Sequence, residues 1–254
     1  MGKQSRRRLI LFELNEVPWK IVNFYCRQYP DSTLATLLPR CHKYETVMPD
    51  EGHLSPWITW PTFHRGVANT RHRIQDFNQD LSGVNAEYPP VWELLQREGV
   101  KTGVFGSLHS SPVPKNYRDY AFFVPDPFSP TTTAHPEYVE SFQTFNLAMS
   151  RESSRNVSSS INVTAGASVL AKWPRLGFTG KTCLSIGRHL IEERRRPWLK
   201  TRRRTYQVVL AFDVFMRQLR RTRPLFGTFF SNHVASTMHR YWAASFPEDY
   251  KVFQ

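Results

Sequence analysis

Cysteine is scarce in this chain: Cys26, Cys41 and Cys183 are the only three, and no two form a Cys-x-x-Cys pair. That excludes a disulfide framework and a cysteine-based zinc ribbon, and it suits a reducing, cytoplasmic compartment. Long apolar runs are missing as well. None approaches the ~20 residues that a membrane span needs. The short apolar run after Arg6-Arg7-Arg8 is interrupted by Glu13, which argues against a secretion signal. Asn156-Val157-Ser158 and Asn162-Val163-Thr164 match a glycosylation pattern and, without such a signal, read as chance. Acidic residues are the third shortage, 21 against 34 Lys and Arg, leaving a formal charge of +13. Such a balance raises nucleic acid, an anionic membrane or a phosphorylated substrate as partners. Its placement narrows the choice. The first half is nearly balanced, and the excess sits late, in Arg194-Arg195-Arg196, Arg202-Arg203-Arg204 and Arg217 to Arg223. A basic helix of this kind is commonly a solvated face; contact with nucleic acid or another polyanion is the alternative.

What is present is enough for a core: 254 residues, 40% hydrophobic and 14% aromatic, hence a globular chain without internal repeats. Arg8 to Leu14 is short and apolar and reads as a buried strand running into Asn15-Glu16. Trp19 to Tyr29 has helical spacing, and Asp31-Ser32-Thr33 caps a short helix over Leu34 to Leu38. Tyr88 to Gly99 is a helix with Pro at its start and Gly past its end. Val100 to Gly106 follows as a second strand, one half of a parallel crossover unit. Phe122 to Phe128 reads as a short extended piece and Pro136 to Met149 as a helix. The Ser/Asn-rich stretch 151–165 reads as a flexible linker within the domain. Leu190 to Leu219 is helical with a break near Pro197, and Leu225 to Phe230 is a third buried strand. The expected architecture is α/β, with a largely parallel sheet flanked by helices. Gly177 to Thr182 contains Gly-Lys-Thr, but a phosphate-cradling loop needs a glycine where Arg175 stands, so it reads as a turn before a helix.

The stretch Ser55-Pro56-Trp57-Ile58-Thr59-Trp60-Pro61-Thr62-Phe63-His64-Arg65-Gly66 places one hydroxyl, Thr59, among apolar residues just before Trp60-Pro61. Pro61 biases its predecessor away from helix, which would hold Thr59 at a turn as a nucleophile or a metal ligand. The plainer reading is an aromatic, proline-rich surface loop. Three expected strands end in polar groups: Asn15/Glu16, Ser107 and His109, and Asn232/His233. In a parallel sheet these ends share one edge, where ligands bind. Asn232-His233 followed by His239 gives histidine and carboxamide donors that suit zinc or manganese.

Together, a strand entering Asn15-Glu16, a Thr59-Trp60-Pro61-Thr62 segment leading to His72, and a late strand entering Asn232-His233 and His239 resemble the alkaline phosphatase superfamily. The resemblance is to its type I phosphodiesterase/nucleotide pyrophosphatase branch. It implies an alkaline phosphatase-like core with Thr59 as nucleophile and Thr62 and His72 on the substrate side. It also implies a divalent metal, zinc or manganese, near Asn15, Asn232, His233 and His239. Departures are specific. Asn15 stands where the family has a metal-binding Asp, Ala235 at a paired Asp, and Thr62 for an Asn. The family's Asp-His-Gly motif and final metal-binding His are not found up to Gln254, so the resemblance implies an incomplete single domain over 1–254.

The implied chemistry is in-line attack by Thr59 on a phosphate ester or phosphodiester, with metals lowering the hydroxyl pKa. A site short of half its ligands would lose metal and rate, which leaves a truncated or an inactive form. The reading from a different class is a non-catalytic basic module that binds nucleic acid or another polyanion.

Overall fold

The computed structural model describes residues 7–76, 79–155, 169 and 172–253. Four strands form one parallel sheet in the order β1-β4-β2-β3, where β1 is Leu9–Leu14, β2 Thr102–Phe105, β3 Phe122–Val124 and β4 Phe226–Ser231. The α/β architecture expected from the sequence is therefore present. β1 runs in register with β4 from Leu9 beside Phe226 to Leu14 beside Ser231. β2 sits between β4 and β3, pairing Gly103 with both Gly227 and Phe122.

The helices are α1 Trp19–Gln28, α2 Thr33–Leu37, α3 Pro56–Arg65, α4 Asn69–His72, α5 Ser82–Glu87, α6 Val91–Arg97 and α7 Glu140–Arg155. After these come α8 Trp173–Leu176, α9 Gly180–Arg195, α10 Thr205–Thr222 and α11 His233–Ser245. A 3-10 stretch, Pro197–Arg204, links α9 to α10, which is the break expected at Pro197. Ser32 caps α2 by accepting from the Ala35 amide at 3.2 Å, as its position suggests. Thr179 does the same for α9, so the Gly-Lys-Thr segment is the turn and helix start that its missing glycine implied.

Alternation along the strands divides the core between the two faces of the sheet. On one face Phe105, Phe122 and Phe229 meet Phe142 of α7 and Phe215 of α10. Phe105 stacks on Phe229 at 5.6 Å, and Phe215 lies 4.9 Å from Phe229. On the other face Val104, Phe123 and Phe226 pack on Trp92 of α6 and Tyr120. Each such phenyl ring taken from water contributes about 1.5–3 kcal/mol.

Three expectations are corrected. The Thr59 segment is not a loop but helix α3, because Pro56 occupies the first helical position, where its fixed φ suits the helix, and Gly66 closes it at φ 67. Pro61 is carried inside that helix and forgoes one intrahelical bond. β1 is not buried: it is the sheet edge, with Leu9, Ile10, Phe12 and Leu14 exposed and Glu13 turned inward. Apolar composition does not reveal whether a strand has one neighbour or two. Lastly, residues 151–155 continue α7 rather than opening a linker, and the rest of that linker, 156–165, lies outside the described residues.

Candidate functional site

The carboxyl ends of β1 and β4 lie side by side, and the residues they emit bond to one another. Asn15 Nδ2 donates to Asn232 Oδ1 at 2.7 Å. Asn15 Oδ1 accepts from Trp60 Nε1, also at 2.7 Å. Next to Asn15, Glu16 is held at φ 52, a left-handed conformation that non-glycine residues rarely adopt. Its carboxylate meets His239 Nε2 at 2.6 Å. So the rim joins the end of β1, the middle of α3 and the first half of α11.

Thr59 borders this rim without bonding to it. It precedes Trp60 in α3, and successive helical side chains diverge by about 100°. The Thr59 hydroxyl donates back to the Ser55 carbonyl at 3.2 Å, a common use of threonine within a helix.

Thr62 and His72, expected on the substrate side, are brought together but face inward. His72 Nδ1 accepts from the Ile74 amide at 2.9 Å, which leaves the proton on Nε2. Nε2 then donates to Thr62 Oγ1 at 2.9 Å, and the Thr62 hydroxyl donates to Asp50 Oδ1 at 2.7 Å. Both side chains are almost fully buried. Burial also lowers the His72 pKa, against a smaller opposing pull from Asp50. This chain of bonds fastens α3 to α4 and to the segment before α3. Beside it, Glu13 Oε1 and His64 Nε2 form a buried pair 3.0 Å apart.

His233 does not join His239. Its Nε2 faces Gln207 Oε1 of α10 at 3.3 Å, and burial lowers its pKa to about 4, so the ring is neutral. His109, past β2, is likewise buried and lowered to about 4, chiefly by burial.

Whether these residues suit a two-metal centre turns on their free donors. Asn15 and Asn232 offer oxygens that already accept hydrogen bonds, and Asn15 supplies no charge. His233 is turned toward α10. That leaves Glu16 and His239, one carboxylate and one imidazole bonded to each other. Among the described residues no three of His, Cys, Asp and Glu are grouped so as to hold a metal ion. As arranged, the set does not fit a pair of zinc or manganese ions.

Sequence reasoning assigns no role to Trp60 or Gln207 and no ligand role to Glu16. Glu16 was findable as the acidic neighbour of Asn15 at a strand exit. Gln207 had no local signal, since its partners Asn146 and His233 are remote in the chain.

A second surface is independent of the rim. Between Arg194 and Arg204 stand seven Lys or Arg residues and no acidic one. Arg194, Arg195, Arg196, Lys200 and Arg202 are exposed, Arg203 is paired with Glu193, and Trp198 is 64% exposed among them. Among the described residues no helix is long and apolar enough to cross a membrane. Compared with protein-family models, curated proteins and solved structures, the chain matches none.

Proposed function

We propose that the chain is an alkaline phosphatase-like α/β domain that recognises a phosphate ester or phosphodiester at the β1–β4 rim without metal-dependent turnover of its own. The observation that carries this reading is the Trp60–Asn15–Asn232 chain of hydrogen bonds, which sets α3 and the start of α11 against the end of β1. Three segments that the resemblance groups around a phosphoryl group, the end of β1, α3 and the start of α11, are linked by these bonds, which supports the reading. The amino end of α11 faces that edge; its N-cap Asn232 makes no side-chain cap, while the His233 amide donates to Ser231 Oγ at 3.4 Å. Against turnover stands the donor set, with Asn15 and Ala235 where carboxylates belong. The three cysteines are all free, which agrees with a cytoplasmic setting.

The test is hydrolysis of bis(4-nitrophenyl) phosphate with added zinc or manganese, alongside metal analysis of the purified chain and titration with 4-nitrophenyl phosphate. The reading expects weak, salt-sensitive binding of the monoester, less than one metal per chain, and no turnover above background. Stoichiometric metal with turnover lost in Thr59→Ala would make the chain an enzyme. Absence of monoester binding would remove recognition altogether.

The basic corner favours a second reading, a polyanion-binding module. Five exposed cations around an exposed indole combine charge with a stacking surface. It expects single-stranded nucleic acid to bind with a steep salt dependence that Arg195→Glu/Arg196→Glu reduces and Thr59→Ala leaves unchanged.

A further inference from the structure

The two edges of the sheet differ. At β3 an antiparallel bridge joins Phe123 to His135. At β1 no further strand follows among the described residues, and β1 pairs with β4 alone. Along such a strand the backbone groups point alternately toward the neighbour and away from it. Leu9 and Asn15 donate to the Leu225 and Ser231 carbonyls at 2.8 and 3.0 Å, so the odd-numbered residues face β4. The N–H and C=O groups of Ile10, Phe12 and Leu14 therefore face outward, and among the described residues none of them has a partner.

The side chains of the same three residues share one face of the sheet. Phe12 stacks on Phe229 at 5.0 Å and meets Phe212 of α10 edge-on at 6.1 Å, yet it stays 48% exposed. Ile10 and Leu14 are exposed as well, as are Val209 and Phe212 on α10. An open edge of this kind is a template for another strand, and chains commonly guard it with a lysine, a proline or a bulge. β1 carries none of these, and its one charged residue, Glu13, is turned to the opposite face onto His64.

We propose that β1 pairs antiparallel with β1 of a second copy, about a two-fold axis at Phe12, joining the two sheets into one. The free groups set the register. With Phe12 opposite Phe12 of the second copy, Ile10 falls opposite Leu14, so all three outward residues are matched and about six backbone hydrogen bonds form. The same register sets Arg8 opposite Glu16, twice by symmetry. Both are exposed, and opposite charges facing across strands favour the pairing. A shift of two residues either way sets Arg8 against Leu14 or Pro18 and loses that match. A two-fold contact also closes at two copies, whereas a head-to-tail one would continue. Ile10, Phe12 and Leu14 take no part in the Trp60–Asn15–Asn232 bonds, so the pairing does not rest on phosphoester recognition.

The test is sedimentation equilibrium of the full chain. Each copy carries a formal charge of +13, so the measurement is made at about 0.15 M salt, where that field is screened beyond about 8 Å. The mass should rise with concentration from one chain to two. Phe12→Lys sets two ammonium groups against each other at the axis and should hold the mass at one chain. Leu14→Lys takes its place if circular dichroism shows that Phe12→Lys does not fold. Arg8→Glu turns both flanking pairs into like-charge contacts and should weaken association about tenfold. Oxidative cross-linking reads the register, since facing Cα atoms about 5.5 Å apart suit a disulfide. Against the unsubstituted chain as control, Phe12→Cys should join to itself, and Ile10→Cys should join Leu14→Cys in a mixture but not itself. A single chain at every concentration, growth past two copies, a dimer indifferent to the edge lysine, or Ile10→Cys joined to itself would each overturn the proposal.

Discussion

Trp60 Nε1 donates a 2.7 Å hydrogen bond to Asn15 Oδ1, across a separation of 45 residues. This contact explains why the carboxamide sits where the resemblance implies a metal-binding carboxylate. Asn15 accepts from the indole and donates to Asn232 at the same time; an amide does both, whereas an ionised carboxylate only accepts.

Asn15→Asp is therefore expected to destabilise the fold. The variant keeps an acceptor for Trp60 but sets a carboxylate oxygen against Asn232 Oδ1, with Glu16 beside it. A cost of about 1–3 kcal/mol is expected, read from urea denaturation at neutral pH. Zinc or manganese should return little of that loss. Full recovery on adding either ion would restore the two-metal reading.

Thr62 gives a test that separates a structural role from a substrate role. Its hydroxyl stands between His72 Nε2 and Asp50 Oδ1, so Thr62→Val leaves the buried His72 N–H without its acceptor and removes one of two donors from Asp50 Oδ1, which keeps the Asn69 amide. The expected loss is about 1–3 kcal/mol in thermal melts, with Thr62→Ser recovering most of it. Affinity for 4-nitrophenyl phosphate should hold. Weaker affinity at unchanged stability would instead place Thr62 on the substrate.

The sheet was legible in the sequence where signals were local. Val100 to Gly106 follows a helix and a glycine, and β2 is found within it; the run before Asn232 contains β4. Helix α3 was concealed by Pro61, whose presence argues for a turn, although Pro56 and Gly66 mark a helix start and stop. The edge position of β1 could not be read, since its apolar residues look the same with one neighbour or two. Within the site, Asn15, Asn232 and His239 are brought to one rim, as their places after strands suggested. His233 is carried away from it by Gln207, a bond made across 26 residues that no spacing rule anticipates.

Acid stability follows from three buried groups, His109 and His233 on one side and Asp126 on the other. His109 has its pKa lowered from 6.5 to about 4, chiefly by burial, with Arg65, His64 and His72 adding to the effect. The unfolded chain takes up that proton first, so stability is lost as pH falls from about 6.5 toward 4. Burial instead raises Asp126 from 3.8 to about 6, despite backbone amides from Phe128 and Ser111. Its folded form takes up the proton first, so stability rises as pH falls from about 6 toward 3.8. Each effect is worth roughly 3 kcal/mol, so these two nearly cancel. His233, also lowered from 6.5 to about 4 by burial, adds a second histidine loss, so unfolding free energy should fall with acid over this window. Asp126→Asn should steepen that fall, and His109→Gln should nearly flatten it. Parallel profiles for the two variants would refute the assignment.

The tightest point of the sheet is Gly103, which pairs with Gly227 on one side and Phe122 on the other. A Cβ added there would fall 2.3 Å from the far end of the Phe122 ring, closer than non-bonded atoms approach. Phe122 is fully buried against Phe215, so the ring cannot swing clear without displacing α10. Interiors packed this densely resist even one added methyl, and overpacking of this kind costs about 1–3 kcal/mol. Gly103→Ala is expected to lose that much in denaturant melts. Phe122→Leu alone shortens the side chain and should cost about 1 kcal/mol or slightly more by leaving space. Combined, the methyl occupies part of the vacated volume, so the double variant should be more stable than the two single losses predict by addition. Strict additivity would mean that Gly103 is required for its backbone rather than for the ring that lies over it.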